Sequence, residues 1–150
     1  MRFGRIRAVD KGYDMSMNMC EVINKLRDAG LRPTRQRVAL AELLYSDGDR
    51  HFSAEQIHDE AVNAQIPVSL ATIYNTLNQF TDAGLLREVA IDGARTLFDT
   101  NTSNHYHFYM EEDGSLVDIE GDDMRVMGLP ELPSDTEISR IDVIVRLAAK

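Results

Sequence analysis

His105 and His107 are separated by one residue in a run, through Met110, that reads as a β-strand. Alternation along a strand puts both imidazoles on one face, roughly 6.5 to 7 Å apart. Two imidazoles so placed can converge on one metal ion or flank a haem iron. Asp99 stands a few residues earlier, at the end of another strand-like run, and His51 precedes a helix-like segment. The plain alternative is a pair of exposed strand histidines; the neighbouring acids and His51 favour ligands.

A second chemistry lies in Ser69–Phe80. Leu70, Ile73, Leu77 and Phe80 recur at helical spacing and form an apolar stripe. The opposite stripe carries Thr72, Asn75 and Gln79, flanked by Tyr74 and Asn78, with no charge among them. Solvated helix faces usually carry Lys and Glu. Short uncharged hydrogen-bonding groups are instead the kind that read base edges in a major groove.

The elements that must position these groups are legible around them. A helix is expected from about Ser16 to Ala29, with Met19, Val22, Ile23 and Leu26 inward and Gly30 at its end. Pro33 and Thr34 open the next, with Val38, Ala41, Leu44 and Tyr45 on one face. Ser53 with Gln56 three residues on is a capping box for a third, with Ile57 and Ala61 inward. The polar-faced helix follows and stops at Gly84. Two β-rich runs, Leu85–Ile91 and Ala94–Thr100, flank Asp92-Gly93, a pair suited to a two-residue hairpin turn. Helices followed by a hairpin make a winged helix-turn-helix. Beyond residue 100, Tyr106–Met110, Leu116–Ile119 and Ile138–Leu147 read as strands, the last alternating as Ile141, Val143, Val145 and Leu147.

The expected class is α+β: an N-terminal winged helix-turn-helix followed by a small α/β dimerisation domain. The divisions are an arm at 1–15, a DNA-binding domain at 16–100 and a dimerisation and ligand-sensing domain at 101–150. A unit of some 50 residues buries little core alone, so pairing with a second copy is expected, through the terminal strand.

A formal charge of −9 is an objection to nucleic-acid binding. It is unevenly placed: residues 1–100 carry a net −2 and residues 101–150 a net −7. Arg27, Arg32, Arg35 and Arg37 cluster near one helix start, and Arg87 and Arg95 sit on the hairpin. Screening limits each charge to about 8 Å at physiological salt, so a local basic face suffices. The single Cys20 excludes an internal disulfide and a multi-cysteine zinc site within one chain. No apolar run is long enough to cross a bilayer. Arg2, Arg5, Arg7 and Lys11 flank no apolar core segment, so neither a secretory signal nor a membrane partner is expected, and the cytoplasm is the natural setting.

The wording Leu31-Arg32-Pro33-Thr34-Arg35-Gln36-Arg37, His51-Phe52-Ser53-Ala54-Glu55, Ser69 through Phe80 and Asp82-Ala83-Gly84-Leu85-Leu86 resembles the ferric uptake regulator superfamily. Within it, Phe98-Asp99-Thr100-Asn101 and Val117-Asp118-Ile119 are most similar to the iron response regulators. The resemblance implies a homodimeric regulator of promoter DNA, active when iron is scarce and released by haem. It also implies that His51, Asp99, His105, His107 and Asp118 form one metal site, suited to Fe(II), Mn(II) or Zn(II), with His105 and His107 as the haem pair.

Some expected features are missing. Met110 and Asp113 replace a Cys-x-x-Cys knuckle, Asn104 and Tyr106 replace second-site ligands, and Cys20 is followed by Glu21 rather than Pro. Tyr106 falls on the opposite strand face from the histidines, as packing, and His58 reads as a surface or half-buried histidine.

Three classes of function compete: a ligand-responsive regulator, a winged-helix protein-interaction module, and a small metal-dependent enzyme. The enzyme reading is weakest, because no general base stands at motif spacing. For the first, the expected contacts to double-stranded, A·T-rich, pseudo-palindromic DNA are Ser69, Thr72, Tyr74, Asn75 and Gln79 in the major groove. Arg32 and Arg95 would serve the backbone or minor groove.

Overall fold

A computed structural model of the chain describes residues 17–92 and 95–150, without the Arg95 side chain. The N-terminal arm with Arg2, Arg5, Arg7 and Lys11, the expected helix start at Ser16, the turn residue Gly93 and the Arg95 contact therefore lie outside the described residues.

Four helices come first: α1 (Met19–Asp28), α2 (Arg35–Leu44), α3 (Ala54–Asn63) and α4 (Leu70–Asp82). Each begins where a short polar side chain caps it. Asn18 and Ser53 make complete capping boxes with Glu21 and Gln56, while Thr34 and Ser69 accept from the N–H of Arg37 and Thr72. α1, α3 and α4 end alike. The N–H groups of Leu31, Ile66 and Leu85 reach back to the carbonyls of Leu26, Ala61 and Phe80 over a left-handed residue. Glycine supplies that conformation at Gly30 and Gly84; between α3 and α4 it falls on Gln65, at φ 58°.

Val22, Leu26, Leu40, Ala41, Leu44, Ile57, Ala61, Ile73, Leu77 and Phe80 are all buried in one core. The expected inward faces hold with three differences, the first being Ile23, which is half-buried and outside the core. Met19 is 57 % exposed, since it is the first residue of α1 and the packed stripe runs through Val22 and Leu26. Leu40 joins Ala41 and Leu44 as a buried residue of α2.

Sheet one orders β1 (His51–Phe52), β3 (Arg95–Asp99) and β2 (Arg87–Asp92), all antiparallel. The hairpin register pairs Asp92 with Arg95, one residue later than an Asp92-Gly93 turn would place it, with an irregularity between Ala90 and Asp92. Phe52 and Phe98 pair across β1 and β3, with ring centroids 5.9 Å apart, and lock the sheet onto the helices.

Sheet two orders β5 (Leu116–Glu120), β4 (His105–Met110) and β6 (Ile144–Leu147), β6 parallel to β4. The α+β class is met. The expected α/β character after residue 100 is met on its β side only, with no helix among the described residues there. The terminal strand is also shorter than Ile138–Leu147. Its register sets Ile144 against His107, so residues before 142 would run past the start of β4 and have nothing to pair with.

The two sheets touch. Val89, Ile91 and Leu97 of the hairpin pack with Tyr109, Leu116 and Ile144, and Arg146 donates to the Ile91 carbonyl. No described helix is long and apolar enough to cross a membrane.

Candidate metal centre and nucleic-acid interface

β1 and β3 pair His51 directly with Asp99, and β4 and β5 pair His107 directly with Asp118. Directly paired residues share a face, so each sheet turns a histidine and a carboxylate to the same side. Alternation along β4 adds His105 beside His107, with ring centroids 4.6 Å apart. Where the sheets meet, one nitrogen or oxygen from each of His51, Asp99, His105, His107 and Asp118 lies within 4.8 Å of all the others. Asp99, His105 and His107 are at most 3 % exposed; His51 and Asp118 form the rim.

The distances describe a convergence of ligand atoms. Asp99 Oδ2 lies 3.1 Å from His51 Nε2, 2.8 Å from His105 Nε2 and 3.1 Å from His107 Nε2. Asp118 Oδ1 lies 2.8, 3.5 and 3.4 Å from the same three nitrogens. Ser103 decides how one of those rings is protonated. Its carbonyl is 2.7 Å from His105 Nδ1, and a carbonyl only accepts, so Nδ1 carries the proton. A neutral His105 then aims its Nε2 lone pair at a carboxylate oxygen. That contact is repulsive unless a proton or a cation lies between them. His51 Nε2 shows the same misfit, buried and close to two carboxylates yet without the geometry of a hydrogen bond to either.

The electrostatics agree. Burial works against a charged His51, but the Asp118 and Asp99 carboxylates outweigh it and push its pKa up to about 9. Burial likewise works against ionised Asp99, yet the hydrogen bonds from His107 and the Asn101 N–H, with the charge of His51 close by, hold it well below the ordinary carboxylate range. Asp118 is lowered too, against its burial, chiefly by His51. Three imidazole nitrogens and two carboxylate oxygens are a donor set for Fe(II), Mn(II) or Zn(II). A porphyrin fits less well: His105 and His107 are 2 % and 3 % exposed, and their ligating atoms face Asp99.

On α4 the polar stripe is exposed as expected except at half-buried Thr72, and its members differ. Ser69 Oγ caps the helix and lies 2.9 Å from Thr72 Oγ1. Tyr74 Oη donates to Glu55 Oε1 at 2.5 Å, and Arg37 Nη2 donates to Gln79 Oε1 at 2.9 Å. Asn75 is exposed and its side chain has no partner among the described residues. Arg32 is exposed, and its carbonyl accepts from Arg37 Nη1. Sequence alone places Arg37 only in a general basic cluster. Its seat against Gln79 and the position of acidic Glu55 beside Tyr74 need the helices to be packed.

Known proteins share this architecture. The Pseudomonas aeruginosa ferric uptake regulator solved with manganese superposes with a TM-score of 0.65 at 24 % identity, covering 86 % of this chain and 98 % of that one. The Vibrio cholerae ferric uptake regulator gives 0.66 at 21 %, covering 85 % and 98 %. In sequence, the peroxide-responsive repressor PerR of Staphylococcus aureus is 41 % identical over 101 residues, 67 % of each chain. The model of the ferric uptake regulator family matches residues 28–140. The chain thus belongs to the ferric uptake regulator family, a family of transcription regulators rather than enzymes.

Proposed function

We propose that this chain is a dimeric, metal-responsive transcription regulator that binds double-stranded DNA through α4 and senses a divalent cation at His51, Asp99, His105, His107 and Asp118. The observation that carries the reading is the convergence of three Nε2 atoms and two carboxylate oxygens where the two sheets meet. Fe(II), Mn(II) or Zn(II) bound there would supply one positive centre that His51 and Asp99 hold from one sheet and His105, His107 and Asp118 from the other. The angle between the sheets then follows the state of the site, and with it the spacing of two α4 helices in a dimer. A tenfold change in DNA affinity needs only about 1.4 kcal/mol of preference for one arrangement.

Support for dimerisation comes from the outer face of sheet two. Phe108, Val117 and Val145 lie side by side across its three strands, with Tyr106 and Ile119 on one flank and Met110 and Leu147 on the other. All seven are half-buried or exposed. An apolar face of this extent calls for a cover, and a second copy of the chain supplies a matching one. On this reading residues 16–100 carry DNA binding and 101–150 carry dimerisation.

Sequence wording favours the iron response regulator branch, in which haem releases DNA. At His105 and His107 haem would require the buried pair to open, whereas a cation would not. Titrating the dimer with Mn(II), Zn(II), Fe(II) and, separately, haem decides between them. Metal-dependent DNA binding without a haem Soret shift supports the cation reading. A Soret shift with DNA release, and no response to any of the ions, overturns it.

A further inference from the structure

Arg87 stands on β2 directly across from Asp99, so its side chain shares the face that carries Asp99 and His51. It is 7 % exposed, an unusual depth for a guanidinium, which takes it out of the basic face expected on the hairpin. Its Nη1 donates to the Ser103 carbonyl at 3.1 Å and its Nη2 to Asp142 Oδ1 at 2.9 Å. Its Nε is buried and has no partner among the described residues. An arginine whose only role was to pair with half-exposed Asp142 could do so from the surface, without the desolvation cost of an unpaired N–H.

The Ser103 carbonyl therefore serves two donors, the Arg87 guanidinium and His105 Nδ1. The second bond fixes which nitrogen of His105 is free to ligate. The first fixes the carbonyl itself, and fixes it to β2, the hairpin strand that directly follows α4. Asp142, just before β6, ties the same guanidinium to sheet two and is also held by Arg140.

We propose that Arg87 is the positioning residue of the metal site and its link to the hairpin, holding the Ser103 carbonyl so that His105 presents Nε2 and passing any reorientation of His105 to β2. This rests on the metal-sensing reading above. Groups that orient a ligating histidine typically carry about 10- to 100-fold of metal affinity, which sets the scale of the effect.

The test uses the full chain as wild type, Arg87→Met, Arg87→Lys and Asp142→Asn. Mn(II) affinity is measured by titration, DNA affinity with and without Mn(II) by gel shift, and the His105 ring protonation by nitrogen NMR of the metal-free protein. Arg87→Met is expected to keep the wild-type circular dichroism, bind Mn(II) about 10- to 100-fold more weakly, and lose the defined Nδ1–H form of His105. Its DNA affinity is expected to stop responding even at saturating Mn(II), while metal-free DNA binding stays at the wild-type level. Asp142→Asn leaves the Ser103 bond in place, so it keeps the His105 form and loses only part of the DNA response. Wild-type Mn(II) affinity together with an unchanged His105 spectrum in folded Arg87→Met overturns the proposal. If Arg87→Met does not fold, Arg87→Lys decides: one ammonium keeps the charge but does not span both acceptors, and wild-type behaviour on both readouts overturns the proposal equally. If the wild type itself binds no Mn(II), the metal-sensing reading fails, and the NMR comparison still reads the Arg87–Ser103–His105 link by itself.

Discussion

His105 Nε2 and Asp99 Oδ2 stand 2.8 Å apart, both almost wholly buried, one on β4 of the second sheet and the other on β3 of the first. The contact joins the two sheets at the point where a cation would sit. Replacing His105 and His107 together by Ala should reduce Mn(II) or Zn(II) affinity at least about 100-fold, since two of five donors and the orienting bond to the Ser103 carbonyl are lost. Metal-free DNA binding should be unchanged, because α4 and its caps lie elsewhere. Calorimetry and a gel shift on the same preparation check both halves; a doubly substituted protein whose DNA affinity still responds to metal would place the sensor elsewhere.

Metal affinity should rise with pH. In the metal-free protein His51 holds a proton up to about pH 9, and a cation must displace it. Affinity should climb by up to about tenfold per pH unit as pH rises towards about 9 and then level off. The stability of the metal-free protein has two limbs. His51, raised from 6.5, contributes fully below that value and loses its contribution as pH rises through about 9. Asp99 and Asp118, lowered from 3.8, contribute above that value and lose theirs as pH falls. Thermal melts across pH should show both limbs, and bound metal should flatten the alkaline one.

Asn75→Ala should weaken DNA binding by about 1–3 kcal/mol if its amide pairs with a base edge. It is the member of the α4 polar stripe that is exposed with its amide unpartnered, so the substitution removes no intramolecular bond. Metal affinity should not move. Wild-type binding to a cognate site would remove Asn75 from the interface.

Gln65→Gly should stabilise the chain by about 1 kcal/mol, because Gln65 holds φ 58° in the turn where α1 and α4 use glycine, and the left-handed region costs a side chain about 1–2 kcal/mol. Urea melts check it. An unchanged or lower midpoint would mean that the greater freedom of glycine in the unfolded chain outweighs the relief.

If the proposed dimer forms through sheet two, Val145→Glu should leave a monomer, since it puts a charge in the middle of that apolar face, beside Phe108. Sedimentation should show half the wild-type mass, and affinity for a two-fold DNA site should fall. A substitution is a cleaner probe than truncation of 136–150, which would strip β6 from β4 and unfold the sheet.

Local signals were enough for the helices, their caps at Thr34 and Ser53, the ends at Gly30 and Gly84, and the shared face of His105 and His107. Each depends on residues within four positions of one another, where backbone geometry dictates spacing. The strand His51–Phe52 was not legible, because two residues carry no period and exist as a strand only through pairing with Phe98 and Asp99. Residues 138–141 failed as a strand for the converse reason: the alternation was present, but β4 begins too late to pair with them. Sequence resemblance named five site residues, and only the docking of two sheets, through contacts 50 or more residues apart such as Arg87 with Asp142, brought their ligand atoms together. The protonation of His105 was likewise decided by a backbone carbonyl, that of Ser103, and no side-chain pattern reveals where a carbonyl points.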